Sequence, residues 1–153
     1  MQKRLFSLVG GLTSVSLLGL GNYAIADKNN THHNHTSHHH KPLEITNGQA
    51  VPSVDLIVHK DRKKGWNLET KVTNFQFSPE NVNKSHRLGE GHAHLYINGE
   101  KITRIYSSWY YVESLPPGKH QVTIKLNANN HQPLAYKGKL IEDTETINVL
   151  SEK

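Results

Sequence analysis

The sequence contains no cysteine. That excludes disulfides, thiolate metal sites, thiol nucleophiles and a lipid anchor on a cysteine following the leader. Methionine occurs once, as Met1. No stretch of ten residues after Ala26 repeats its apolar positions with a helical period, so the chain is not expected to build helices. There is no internal repeat and no Gly-rich phosphate loop. Ser107, Ser108 and Ser114 lie outside any nucleophile-elbow context, and no carboxylate pair has an acid/base setting. These absences argue against an enzyme. Basic residues are scattered apart from Lys60, Arg62, Lys63 and Lys64, which read as a solvated turn. With no basic stripe interleaved with aromatics, nucleic acid is not an expected partner.

What is present falls into three parts. Residues 1–26 read as a signal peptide: Lys3 and Arg4, an apolar run from Leu5 to Leu20, then the small-residue site Ala24-Ile25-Ala26. The run is too short and too rich in Gly and Ser for a membrane span, and none is expected after cleavage. Cleavage after Ala26 removes two cations and lowers the formal charge from +5 to +3. The expected location is the periplasm or the exterior. Residues 27–42 form a polar, disordered tether carrying His32, His33, His35, His38, His39 and His40. Neutral imidazoles at that density capture metal, although a flexible chain cannot select one sharply by geometry.

From residue 43 to 153 the pattern is β. Val54, Leu56 and Val58 share one face of a strand, and Trp66, Leu68, Thr70 and Val72 one face of the next. Leu95–Ile97 and Ile102–Tyr106 flank Asn98-Gly99, which tolerates the positive φ of a tight hairpin. Trp109–Val112, His120–Leu126 and Thr144–Leu150 supply further strands, with Pro116-Pro117-Gly118 as a turn. About seven short strands predict an all-β fold, an antiparallel Greek-key sandwich of cupredoxin-like or immunoglobulin-like type.

The residues with the most chemistry are His92 and His94. On a strand, residues two apart project together. Two imidazoles side by side suit copper or zinc. The competing reading is a structural pair that hydrogen-bonds neighbouring loops. His131, in the polar loop after the His120 strand, is the third candidate ligand, and His86, in the loop before the motif, is the fourth. Glu90 could add oxygen, but a solvated carboxylate is the simpler reading. His120 reads as a core-edge residue with a satisfied hydrogen bond, and His59 as exposed. Trp109, Tyr110 and Tyr111 read as sheet packing, or else as a stacking surface for an envelope protein or a glycan.

Three segments in order, Gly91-His92-Ala93-His94-Leu95-Tyr96-Ile97-Asn98-Gly99, Leu115-Pro116-Pro117-Gly118-Lys119-His120 and Leu126-Asn127-Ala128-Asn129-Asn130-His131, resemble a family of little-characterised exported bacterial β-sandwich domains. The resemblance spans roughly residues 54–150 and implies a cupredoxin-like or immunoglobulin-like fold. A blue-copper site needs a Cys thiolate, so the expected centre is all-nitrogen, or nitrogen and oxygen. The His-x-His pair is also similar to copper ligands of copper/zinc superoxide dismutases, whose remaining ligand pattern is absent here. The expectation is a metal-binding protein, with a non-catalytic adhesion module as the alternative.

Overall fold

The computed structural model describes residues 41–151. The expected signal peptide and the six tether histidines lie outside the described residues. Eleven strands follow in order: β1 (Leu43–Glu44), β2 (Ser53–Lys60), β3 (Trp66–Thr73), β4 (Gln76–Phe77), β5 (Glu90–Ile97), β6 (Glu100–Ile105), β7 (Trp109–Val112), β8 (Gly118–Ala128), β9 (Leu134–Tyr136), β10 (Lys139–Leu140) and β11 (Glu142–Val149). One short 3-10 turn, Pro79–Asn81, follows β4. No helix among the described residues is long and apolar enough to cross a membrane.

The strands form three sheets in an all-β, sandwich-like arrangement. In the largest, β11, β8 and β5 are antiparallel neighbours. The far edge of β5 is shared: β4 pairs in parallel with its start, and β6 antiparallel with the rest. A second sheet runs β2-β3-β7, all antiparallel. A small third sheet joins β1, β9 and β10, with β1 parallel to β9.

Alternation decides the faces. Ala93 and Leu95 of β5 stand opposite Leu126 and Ile124 of β8, and all four are buried. Leu56 of β2 and Leu68 and Trp66 of β3 join them in one apolar cluster, closed by Ile105, Val112, Val122 and Ile147. Each such side chain contributes about 1.5–3 kcal/mol when fully buried. Period two then fixes the other face of β5 and β8: His92, His94 and Tyr96 lie beside Asn127, Lys125 and Thr123.

Three features departed from the periodicity reading. The two-residue strands β1 and β4 and the β9–β10 ladder carry too few residues for a pattern, and their pairing is set by distant partners. Two of those pairings are parallel, β1 with β9 and β4 with β5. The β5–β6 hairpin turns on Asn98 and Gly99, both at positive φ, as an Asn-Gly turn requires. Its register shifts between Leu95 and Tyr96: Leu95 faces Thr103, but Tyr96 faces Lys101, so Ile102 is an extra residue, a β-bulge.

Gly91 has a steric role at the start of the site strand. A Cβ there would lie 2.0 Å from the Asn127 carbonyl oxygen and 3.1 Å from the Phe75 ring. Backbone cannot yield as a side-chain tip would, so Gly91→Ala should destabilise the protein by roughly 1–3 kcal/mol. Denaturant unfolding checks this; an unchanged midpoint would contradict the close β5–β8 approach.

Candidate metal centre

His92 and His94 project from the outer face of β5, yet only 1% and 5% of their surfaces are exposed. Their cover comes from two sides. The Tyr106 ring lies 5.6 Å from the His92 ring, and the loop after β8 brings His131 to within 4.8 Å of it, between ring centroids. That loop is fastened to the segment after β4. Asn83 N–H donates to the Asn129 carbonyl at 2.8 Å, and Ser78 Oγ donates to Asn129 Oδ1 at 3.1 Å. Asn127 Nδ2 donates to the His131 carbonyl at 3.0 Å, while His131 N–H closes a tight turn onto the Ala128 carbonyl.

His131 adopts φ +68°, the left-handed region. A residue with a Cβ pays about 1–2 kcal/mol there. Such strain outside glycine concentrates at functional positions. Here the turn aims the imidazole back at β5.

Three ring nitrogens converge. His92 Nε2 is 3.0 Å from His94 Nε2 and 3.1 Å from His131 Nδ1. One ligand atom from each residue lies within 4.8 Å of the other two. Proton accounting shows what this means. His131 Nε2–H donates to Asn83 Oδ1, at 2.5 Å, which leaves Nδ1 as a lone pair. The Lys101 ammonium, which can only donate, is 3.2 Å from His94 Nε2 and makes that nitrogen an acceptor too. Only His92 Nε2 is left to supply a proton between two acceptors. With all three rings neutral, the three nitrogens share at most one proton.

Charging His92 or His94 offers no escape. Burial above all pushes the His92 imidazole down to about 3, helped by His131, Arg104 and Lys101. Burial likewise pushes His94 down to about 2, with Lys101, His92, His131 and Arg104 adding to it. Both are neutral across physiological pH. Three buried polar atoms around the group have no hydrogen-bond partner: His92 Nδ1, Asn127 Oδ1 and Asn129 Nδ2. Orphans of this kind are uncommon and mark sites where something other than packing was selected.

A metal ion fits this donor set. Metal–imidazole bonds of about 2.0–2.1 Å put neighbouring ligand nitrogens about 2.9 Å apart at right angles and about 3.4 Å apart at tetrahedral angles. The two measured edges fall within that span. The group could therefore hold a metal ion. Among the described residues it is the one cluster of three or more potential ligands that meets this proximity.

His86 does not join the group. It is half-buried in the loop before β5, with Nδ1 unpartnered and its basicity lowered by burial. Glu90 instead accepts from Asn81 Nδ2 at 2.8 Å. His120 is buried and satisfied at both nitrogens: Asn98 Nδ2 donates to Nδ1, and Nε2–H donates to the Pro116 carbonyl. His59 is exposed, 2.8 Å from Glu69 and 5.4 Å from the Trp109 ring. Trp109 and Tyr111 are 54% and 47% exposed on the edge strand β7. Sequence reasoning missed Asn83, Lys101, Arg104 and Tyr106. Asn83 reaches the site only through the long loop, and Arg104 only through the bulge.

Compared with protein families, curated proteins and solved structures, the chain matches none.

The buried imidazoles set a pH dependence. Their folded pKa values lie below the ordinary 6.5, so the unfolded chain binds more protons between pH 6.5 and about 3. Metal-free protein should hold this stability above pH 6.5 and lose it progressively as pH falls through that window. Denaturant midpoints measured across the window should fall, and the fall should be shallower in His94→Gln. Equal slopes in the two proteins would contradict the buried, neutral assignment.

Proposed function

We propose that this is an exported, non-catalytic copper- or zinc-handling protein of the periplasm or cell exterior, which holds the ion on His92, His94 and His131. The observation that carries the reading is the convergence of three imidazole nitrogens, two of them held as lone pairs by Asn83 and Lys101. An all-imidazole set suits copper or zinc rather than magnesium or calcium, which prefer oxygen. Export rests on the leader pattern of residues 1–26, and the three motifs support kinship with exported β-sandwich domains.

The tether enters the reading through its attachment point. Gln132, next to His131, donates from Nε2 to the Lys41 carbonyl at 3.1 Å, and Leu43 N–H donates to the Pro133 carbonyl at 2.8 Å. Pro42 lines the same basin as His94 and His131. His38, His39 and His40 immediately precede Lys41. At 3.8 Å per residue, His38 is within about 11 Å of chain from it. A ligand tethered so close acts at an effective concentration on the order of millimolar. The tether captures metal, and the folded site receives it.

The chain with His32→Asn, His33→Asn, His35→Asn, His38→Asn, His39→Asn and His40→Asn isolates the folded site. Calorimetric titration of this tether-silenced protein should give one saturable copper or zinc site. Adding His131→Gly should lower the affinity at least about tenfold. The same change should leave thermal stability nearly unchanged, because relief of the left-handed strain offsets the lost Asn83 bond. No stoichiometric site in the tether-silenced protein would refute the assignment.

A second reading rests on the exposed Trp109 and Tyr111, an aromatic pair on an edge strand that could stack on a glycan or an envelope protein. Pull-down of envelope components by metal-free protein, abolished by Trp109→Ala, would favour it.

A further inference from the structure

Two cations, Lys101 and Arg104, stand beside the three histidines. The bulge at Ile102 decides this. The Asn98-Gly99 hairpin sets Lys101 opposite Tyr96, on the histidine face; the extra residue then brings Arg104, which unbroken pairing would set opposite Ala93 on the core face, to the same side. Its ammonium then lies 3.2 Å from His94 Nε2. Arg104 stands directly across from His94 in the ladder.

Neither cation has a carboxylate partner among the described residues. Glu142 is the acidic residue of this basin, and it is already paired with Lys125 at 2.9 Å. The basin itself, about 820 Å³, is lined by His94 and His131 together with Tyr96, Lys101, Arg104 and Thr123. A divalent ion on three neutral imidazoles keeps its full charge, and Lys101 and Arg104 add two more beside it. These like charges repel one another, and an anion between them relieves the repulsion.

We infer that the basin is an anion subsite, which takes a small carboxylate with one oxygen on the metal and the other on Lys101 and Arg104. The inference rests on the proposed metal reading. A carboxylate fits because it offers two oxygens a fixed distance apart, and guanidinium and ammonium groups both bind carboxylates by charge-assisted hydrogen bonds. Lys101 has two roles that exclude each other. Without the anion it donates to His94 Nε2 and competes with the metal; with the anion it releases that nitrogen. Metal and carboxylate therefore bind with positive coupling, each raising the affinity for the other.

The tether-silenced full chain loaded with Cu(II) tests this, with azide as the optical probe and acetate as the competitor. Azide should produce a saturable ligand-to-copper charge-transfer band, and acetate should suppress it. In Lys101→Met and Arg104→Met, both exposed positions, the azide half-saturation should rise about tenfold or more. Copper affinity without added anion should rise in the same variants, an opposite sign that general damage to the fold would not give. Unchanged azide half-saturation in both variants would overturn the subsite, as would inorganic phosphate competing better than acetate. Absence of any copper spectrum in the parent protein would instead bring down the metal reading, and this inference with it.

Discussion

Two imidazole nitrogens that face each other away from water must share a proton, become charged, or bind a cation. The rest of the site follows from that constraint. His92, His94 and His131 bring three such nitrogens together, and their neighbours narrow the first two options. Asn83 takes the His131 proton at the far nitrogen, and Lys101 can only donate to His94. Burial keeps His92 and His94 uncharged. What remains is a close group of three ring nitrogens, held by a sheet on one side and a strained turn on the other.

The sheet supplies rigidity. Ala93 and Leu95 anchor β5 in the core, so the histidines between and before them cannot turn away without exposing apolar surface. Gly91 allows β5 to lie close against the Asn127 carbonyl. The loop after β8 supplies the third donor at an energetic cost in backbone conformation, and Asn83, Asn127 and Asn129 fix it with hydrogen bonds. Rigid strand, strained turn and hydrogen-bonded support together resemble the construction of preorganised sites in general.

Much of this was legible in the residues. Period two in Val54–Val58, Trp66–Val72 and His120–Leu126 gave the long strands, because one face of each is buried against the other sheet. The same period put His92 and His94 on a common face, and the polar loop after the His120 strand made His131 their companion. Other parts were not legible, for physical reasons. The short strands β1, β4, β9 and β10 are defined by partners far away in sequence rather than by any local pattern. Arg104 falls on the core face of an unbroken hairpin, and only the bulge at Ile102 brings it across from His94. Asn83 is one of several asparagines in polar loops, and only the tertiary fold selects it. His86 shares the residue type and the vicinity of the motif, but its loop keeps it out of the group of three.

The most direct test of the account is the ligand count around a bound ion. X-ray absorption at the copper or zinc edge of the metal-loaded, tether-silenced protein reads it without assumptions about affinity. Three imidazoles should appear, with nitrogens at about 2.0–2.1 Å, and one should vanish in His131→Gly. One or two imidazoles in the parent protein, or a spectrum that His131→Gly leaves unchanged, would contradict a centre built on His92, His94 and His131.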